Sequence, residues 1–180
     1  TLHNTLFPYT TLFRSLVGRA FLNPGDYVMT EAPTYLGALS AFDFYQARYC
    51  TVPMDENGMI VEQAEEQIKK CKPKFIYVVP NFQNPSGITM SLARREALVE
   101  LAGKYQIPII DDNPYGELRY SGEPVPSLKT IGGNAVVSLG TFSKTISPGV
   151  RIGWAVACPE VARMLEKVKQ STDLHSTTFT

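Results

Sequence analysis

Between residues 27 and 170 the chain alternates short runs of β-branched and aromatic residues with longer stretches of helical period, and this alternation restricts the fold more than any other property. Strands are expected at 27–31, 47–52, 75–79, 107–111, 135–139 and 152–157, and helices at 35–46, 61–71, 91–105 and 159–170. The helix over 61–71 carries Glu65/Lys69 and Glu66/Lys70 at i,i+4 spacing. Ser91 is a helix cap, and Pro159 sits at a tolerated first-turn position. Hairpin signals are few. Strands separated by helices must be joined by crossovers, which implies an α/β fold: a mostly parallel sheet with helices on both faces. In open sheets of that kind ligands bind beyond the carboxyl ends of the strands, so the residues just after each strand are where chemistry is expected.

Charge and cysteine content exclude several classes. Seventeen Lys+Arg balance 17 Asp+Glu over 180 residues, so no sequence-wide basic field exists to hold nucleic acid or an anionic membrane. Cys50, Cys71 and Cys158 lie far apart, at no metal-ligand spacing and in an odd number, which fits reduced thiols in a cytoplasmic protein and no metal site. The longest apolar runs have strand length, far below the roughly 18 residues of a membrane span.

Three strand ends carry the informative residues. After 75–79 comes Pro80-Asn81-Phe82-Gln83-Asn84-Pro85-Ser86-Gly87, and after the next strand Asp111-Asp112-Asn113-Pro114-Tyr115-Gly116. After 135–139 comes Gly140-Thr141-Phe142-Ser143-Lys144, followed by Pro148-Gly149-Val150-Arg151. Taken singly each has an ordinary reading: a solvated lysine, a turn, a cap. Taken together they gather one amine, several hydroxyls and one guanidinium. An amine forms an imine with an aldehyde, and the other groups suit a phosphate, so the set answers the needs of a phosphorylated aldehyde.

The ordered set resembles the fold-type I pyridoxal-phosphate enzymes, specifically the class I/II aminotransferases of the 2-aminoadipate/kynurenine aminotransferase and MocR-like branch. The resemblance covers residues 16–180 and implies the large cofactor-binding domain of that fold, incomplete here. It matches Lys144 to the Schiff-base lysine, and Thr141, Ser143 and Arg151 to the phosphate side of the site. Asn84 and Tyr115 match the partners of the cofactor phenolate, Asp112 the carboxylate at the pyridine nitrogen, and Tyr35 the aromatic stacked on the ring. Lys144, Asp112 and Tyr115 are the catalytic residues in this mapping. An ionised carboxylate suits Asp112 because the ring must accept electrons from a carbanion. Strand alternation allows only one of Asp111 and Asp112 to face the site. The resemblance further implies cis peptide bonds at Ala32-Pro33 and Asn84-Pro85. It also implies amino-acid and 2-oxo-acid substrates and a homodimer at full length, with no nucleic-acid partner for this segment. The alternative is the cofactor-sensing domain of a MocR-type transcription regulator.

Two regions depart from the pattern. Residues 1–15 resemble translated adapter text, hold Pro8 and no sustained period, and are expected to be a non-native leader outside the fold. They replace the turn at a helix start that holds the phosphate in the family. The small domain is also absent, so residues 16–180 are expected to be a partial domain that binds the cofactor weakly and is inactive alone. His175 is expected to be a polar residue at a helix end.

Overall fold

The computed structural model describes residues 3–7 and 10–173, the His175 expectation lying outside them. Eight strands build one sheet: β1 (His3–Phe7), β2 (Tyr27–Ala32), β3 (Arg48–Asp55), β4 (Gly58–Met59), β5 (Phe75–Val78), β6 (Ile109–Asp112), β7 (Val136–Thr141) and β8 (Gly153–Ala157). Their order is β1-β8-β7-β6-β5-β2-β3-β4. The core run from β7 to β3 is parallel throughout, while β8 is antiparallel to both β7 and β1. Six helices connect them: α1 (Thr10–Phe21), α2 (Leu36–Asp43), α3 (Val61–Cys71), α4 (Leu92–Tyr105), α5 (Leu128–Gly132) and α6 (Pro159–Gln170). The expected mostly parallel sheet covered on both faces is therefore the observed one.

Local chemistry explains the helix limits. Ser91 Oγ accepts the Arg94 N–H at the start of α4, and Gln106 closes that helix in the left-handed region at φ 55°. Val61, Ala64 and Ile68 recur at helical spacing and are the buried stripe of α3. Ser127 caps α5 in the same way as Ser91 caps α4.

Strand order decides which face each helix covers. The chain moves from β2 to β3 in one direction, then returns past β2 to β5 and continues to β6 and β7 in the other. Right-handed crossovers then place α2 on one face and α3 and α4 on the opposite one. The buried clusters agree. Phe13, Leu16, Val17, Phe42 and Leu165 from α1, α2 and α6 pack with Phe75, Tyr77 and Leu139. Ile68, Leu98, Leu101 and Leu128 from α3, α4 and α5 pack on the other side with Ile76, Val78 and Val136. Phe42 meets Phe75 and Tyr77 edge-on at 5.3 and 5.6 Å between ring centroids. The reversal opens a crevice at the ends of β2 and β5, the place where such sheets receive ligands.

Of the segment expected to be a leader outside the fold, residues 3–7 and 10–15 are described, and they lie in elements of the fold. Residues 3–7 pair antiparallel with β8, and residues 10–15 are the first turns of α1. Phe13 is fully buried and Leu16 nearly so, three residues apart on one helix face. The apolar Thr/Leu-rich text therefore has enough helical period after Pro8 to serve the core, which a search for a sustained pattern over the whole segment conceals.

Candidate active site

Because β2, β5, β6 and β7 are parallel, the residues that follow them emerge at one edge, and antiparallel β8 begins where they end. A cavity of about 260 Å³ opens there, lined by Arg14, Tyr35, Val79, Asn84, Asp112, Pro114, Tyr115, Ser143, Lys144, Pro148 and Arg151. Seven of the eight expected site residues thus share one wall system. Thr141 is the exception. It is the last residue of β7, buried, with its hydroxyl donating to the Ile152 carbonyl at 3.3 Å and accepting the Ser143 N–H at 3.1 Å. Its contact with the cavity is through Ser143.

Tyr35 sits at the cap position of α2, three residues after Ala32. Its ring folds back over Gly37, where an added Cβ would lie 2.6 Å from a ring carbon, so glycine leaves the room this orientation needs. Asn84 Nδ2 donates to the Tyr115 hydroxyl at 3.4 Å. The loop carrying Asn84 is tied down by its neighbour Gln83, whose Nε2 donates to the Pro33 carbonyl at 2.8 Å and to Glu31 Oε2 at 3.3 Å. Burial pushes the Glu31 carboxyl up to about 8, against the hydrogen bonds it accepts from Val79 N–H and Gln83. Both Ala32-Pro33 and Asn84-Pro85 are cis, as the resemblance implies.

The Lys144 ammonium lies 5.9 Å from the centroid of the Tyr115 ring, on an exposed stretch that continues to Gly149. Room on the back of this loop comes from Gly140, which faces Trp154 across the β7–β8 pair; an added Cβ there would stand 2.1 Å from the indole. Arg151, at φ 52° just before β8, donates to the Pro148 carbonyl at 3.3 Å.

Asp112, the last residue of β6, is fully buried and turned into the cavity wall. Its Oδ2 accepts from Arg14 Nε at 2.6 Å and from the Tyr77 hydroxyl at 2.5 Å. Burial opposes the Arg14 charge, but the carboxylate more than offsets it and raises the guanidinium above its ordinary value. Tyr77 is held well above the usual phenol range by burial first and Asp112 second. Asp111 turns the other way and accepts from Ser138 Oγ at 3.1 Å. Its carboxyl is pushed up to about 7 by burial.

Arg14 and Tyr77 are absent from the sequence-based set. Arg14 lies in the segment set outside the fold. Tyr77 did leave a signal: it is the one hydroxyl-bearing residue in the buried run 75–79, and a buried tyrosine needs a partner for its O–H.

Two polar atoms on this wall are buried without a partner among the described residues, Asp112 Oδ1 and Ser143 Oγ. One is a carboxylate acceptor in a cavity that Tyr35 also lines, and the other a hydroxyl on the residue before Lys144. That donor set fits a planar N–H-bearing ring at one end and an anionic group at the other.

Comparison with known proteins agrees with this arrangement. The profile of the family described as "Aminotransferase class I and II" matches residues 10–178. The chain is 50% identical over 170 residues to aromatic-amino-acid aminotransferase 1 of Thermococcus litoralis, covering 91% of this chain and 41% of the relative. It is 39% identical over 165 residues to the 2-aminoadipate transaminase of Thermus thermophilus, covering 89% and 42%. The crystal structure of Pyrococcus horikoshii kynurenine aminotransferase, solved in complex with PMP, superposes at a TM-score of 0.94 with 48% identity, covering 97% of this chain and 45% of that one. The chain spans less than half the length of these relatives.

Proposed function

The chain belongs to the class I and II aminotransferases, and from that membership we propose that it is the cofactor-holding part of an enzyme that moves an amino group between an amino acid and a 2-oxo acid. One observation carries the reading. Lys144, Asp112, Asn84, Tyr115 and Arg151 come from the ends of four strands, β5 to β8, yet line one cavity, which a solvated loop lysine and an ordinary turn have no reason to do. The relatives at 50% and 39% identity carry enzyme names, and this favours transfer over the sensor reading.

Pyridoxal phosphate, when bound, supplies an aldehyde for amine exchange and a ring that accepts the electrons of a substrate carbanion. The residues in place suit it. Asp112 Oδ1 would accept the ring N–H, and Tyr35 would offer an aromatic face. Asn84 Nδ2 and Tyr115 O–H are donors for a phenolate oxygen, and their mutual hydrogen bond fixes both. Ser143 Oγ and Arg151 are the hydroxyl and guanidinium for the phosphate, with Thr141 holding Ser143 in place. Lys144 Nζ would be the amine that holds the aldehyde and, once the substrate amine has taken its place, would be free to hold and move the proton of the substrate α-carbon. A homodimer at full length and a cytoplasmic setting belong to the same proposal. The three free thiols support the setting.

The test is a covalent one. Purified chain mixed with pyridoxal phosphate and reduced with borohydride is expected to carry a single adduct on the peptide containing Lys144, and Lys144→Ala is expected to carry none. An adduct of equal yield in the variant overturns the assignment.

A further inference from the structure

We infer that Arg14 is an internal stand-in for the cofactor ring, and that pyridoxal phosphate must displace its guanidinium from Asp112 and Tyr35 to bind. The inference rests on the function proposed above. Three observations carry it. Arg14 Nε donates to Asp112 Oδ2 at 2.6 Å, so a planar cation already uses the carboxylate assigned to the pyridine nitrogen. The same guanidinium carbon lies 4.6 Å from the centroid of the Tyr35 ring, the aromatic assigned to the ring face. Arg14 also lines the cavity that Lys144, Asn84, Tyr115, Ser143 and Arg151 line.

A pyridinium and a guanidinium present the same features to such a site: a flat delocalised cation with an in-plane N–H and a face for an aromatic partner. Asp112 Oδ1 is open, but Oδ2 holds Arg14 and the guanidinium covers the Tyr35 ring, so a cofactor ring stacked there must take its place, and two cations on one buried carboxylate repel. Arg14 is 4% exposed, so once displaced it must find solvent or another acceptor before the ring can enter. The binding-competent state is then a minor one, and apparent affinity falls by the fraction of molecules in it. Removing the competitor restores that factor, expected to be on the order of tenfold or more.

Pyridoxal phosphate is titrated into the intact chain and into Arg14→Leu, following the absorbance of the bound cofactor. The Arg14 Nε–H resonance of the unsubstituted chain is followed by NMR in the same titration. Expected are a Kd at least about tenfold lower for Arg14→Leu, a larger rise in melting temperature on saturation of that variant, and loss of the Nε–H resonance as the cofactor binds. Equal Kd values overturn the inference. Should Arg14→Leu fail to fold, the resonance decides alone, because a signal unmoved at saturation means that Arg14 was never displaced. A Lys144 adduct of equal affinity in both chains sinks this inference and leaves the proposed function standing, whereas no adduct in either sinks both.

Discussion

Asp111 and Asp112 are neighbours in the chain, identical in type and equally buried, yet they belong to different regions of the molecule. Asp112 projects toward the face covered by α1 and α2 and ends in the cavity, bonded to Arg14 and Tyr77. Asp111 projects toward the face covered by α4 and α5, where it meets Ser138 Oγ and the field of Arg95. Arg95 itself is spoken for. It donates to the carbonyls of Met90, Pro80 and Pro126 and to Asn81 Oδ1, clamping the loops on that side. One carboxyl has a dedicated cation and an orphan oxygen at a cavity, while the other has one hydroxyl and a pKa raised toward neutrality. What separates them is the period-2 alternation of a strand and the chemistry packed over each face.

The largest expected difference is in stability. Asp112→Ala leaves Arg14 buried and Tyr77 without its acceptor, and breaking such a pair costs about 3–5 kcal/mol. Replacing both partners, as Arg14→Leu with Asp112→Leu, is expected to recover the ion-pair part of that loss, because matched apolar side chains avoid the desolvation of both charges, while the Tyr77 O–H stays without its acceptor. Asp111→Asn breaks no ion pair and is expected to stay well below that cost. Urea midpoints of the four chains at pH 6 check the order. A double variant as unstable as Asp112→Ala would mean that packing, and not the charge pair, holds this side together.

Much of this contrast was open to a reader of the sequence, because alternation alone assigns the two aspartates to opposite faces. The limits of α3 and α6 also follow from local pattern, since helical spacing and basic last turns are carried within both segments and a proline starts α6. Strand limits were less accessible. The expected strand at 107–111 begins only at Ile109, because the Ile107 N–H closes the end of α4 on the Ala102 carbonyl and Pro108 has no N–H to give. The expected end at Leu139 moves to Thr141, because Gly140 and Thr141 pair with Trp154 and Gly153 of antiparallel β8. That partner is the next strand, but it runs antiparallel where a parallel neighbour is expected, and the Thr141 hydroxyl is spent on the Ile152 carbonyl beside it. Arg14 was hidden for a different reason: its role exists only through a residue 98 positions away.

The second difference is in pH response, and it belongs to the Asp111 side. Its folded carboxyl titrates near 7, above its ordinary value of 3.8, because burial disfavours the charge. Between these values the folded chain binds more proton than the unfolded one, so stability falls as pH rises from about 4 and levels off above about 7. With about 1.4 kcal/mol for each unit, the loss is on the order of 4 kcal/mol. Glu31, raised to about 8 by burial, acts in the same direction. Asp111→Asn should therefore flatten the slope between pH 5 and 8 without abolishing it, and Asp111→Asn with Glu31→Gln should flatten it further. Denaturation midpoints at pH 5, 6.5 and 8 read this directly, and an unchanged slope in Asp111→Asn would move the pH response elsewhere.

The smallest expected effect isolates the hydroxyl that distinguishes Asp111 from its neighbour. Ser138 Oγ donates to Asp111 Oδ2, and this hydrogen bond pulls the carboxyl pKa down against burial. Ser138→Ala removes the donor, and Asp111 Oδ1 already has no partner, so the charged form loses its one side-chain hydrogen bond. The carboxyl should therefore titrate still higher, above about 7, followed by the 13C shift of the side-chain carbon. The stability cost should be about 1–2 kcal/mol at pH 8, where the group is ionised, and smaller at pH 5, where it is protonated, since hydrogen bonds to charged groups are the stronger kind. A cost that is equal at both pH values would show that Ser138 serves the packing of β7 against α4 rather than the charge of Asp111. The two faces of β6 would then differ only in the cation that Asp112 possesses.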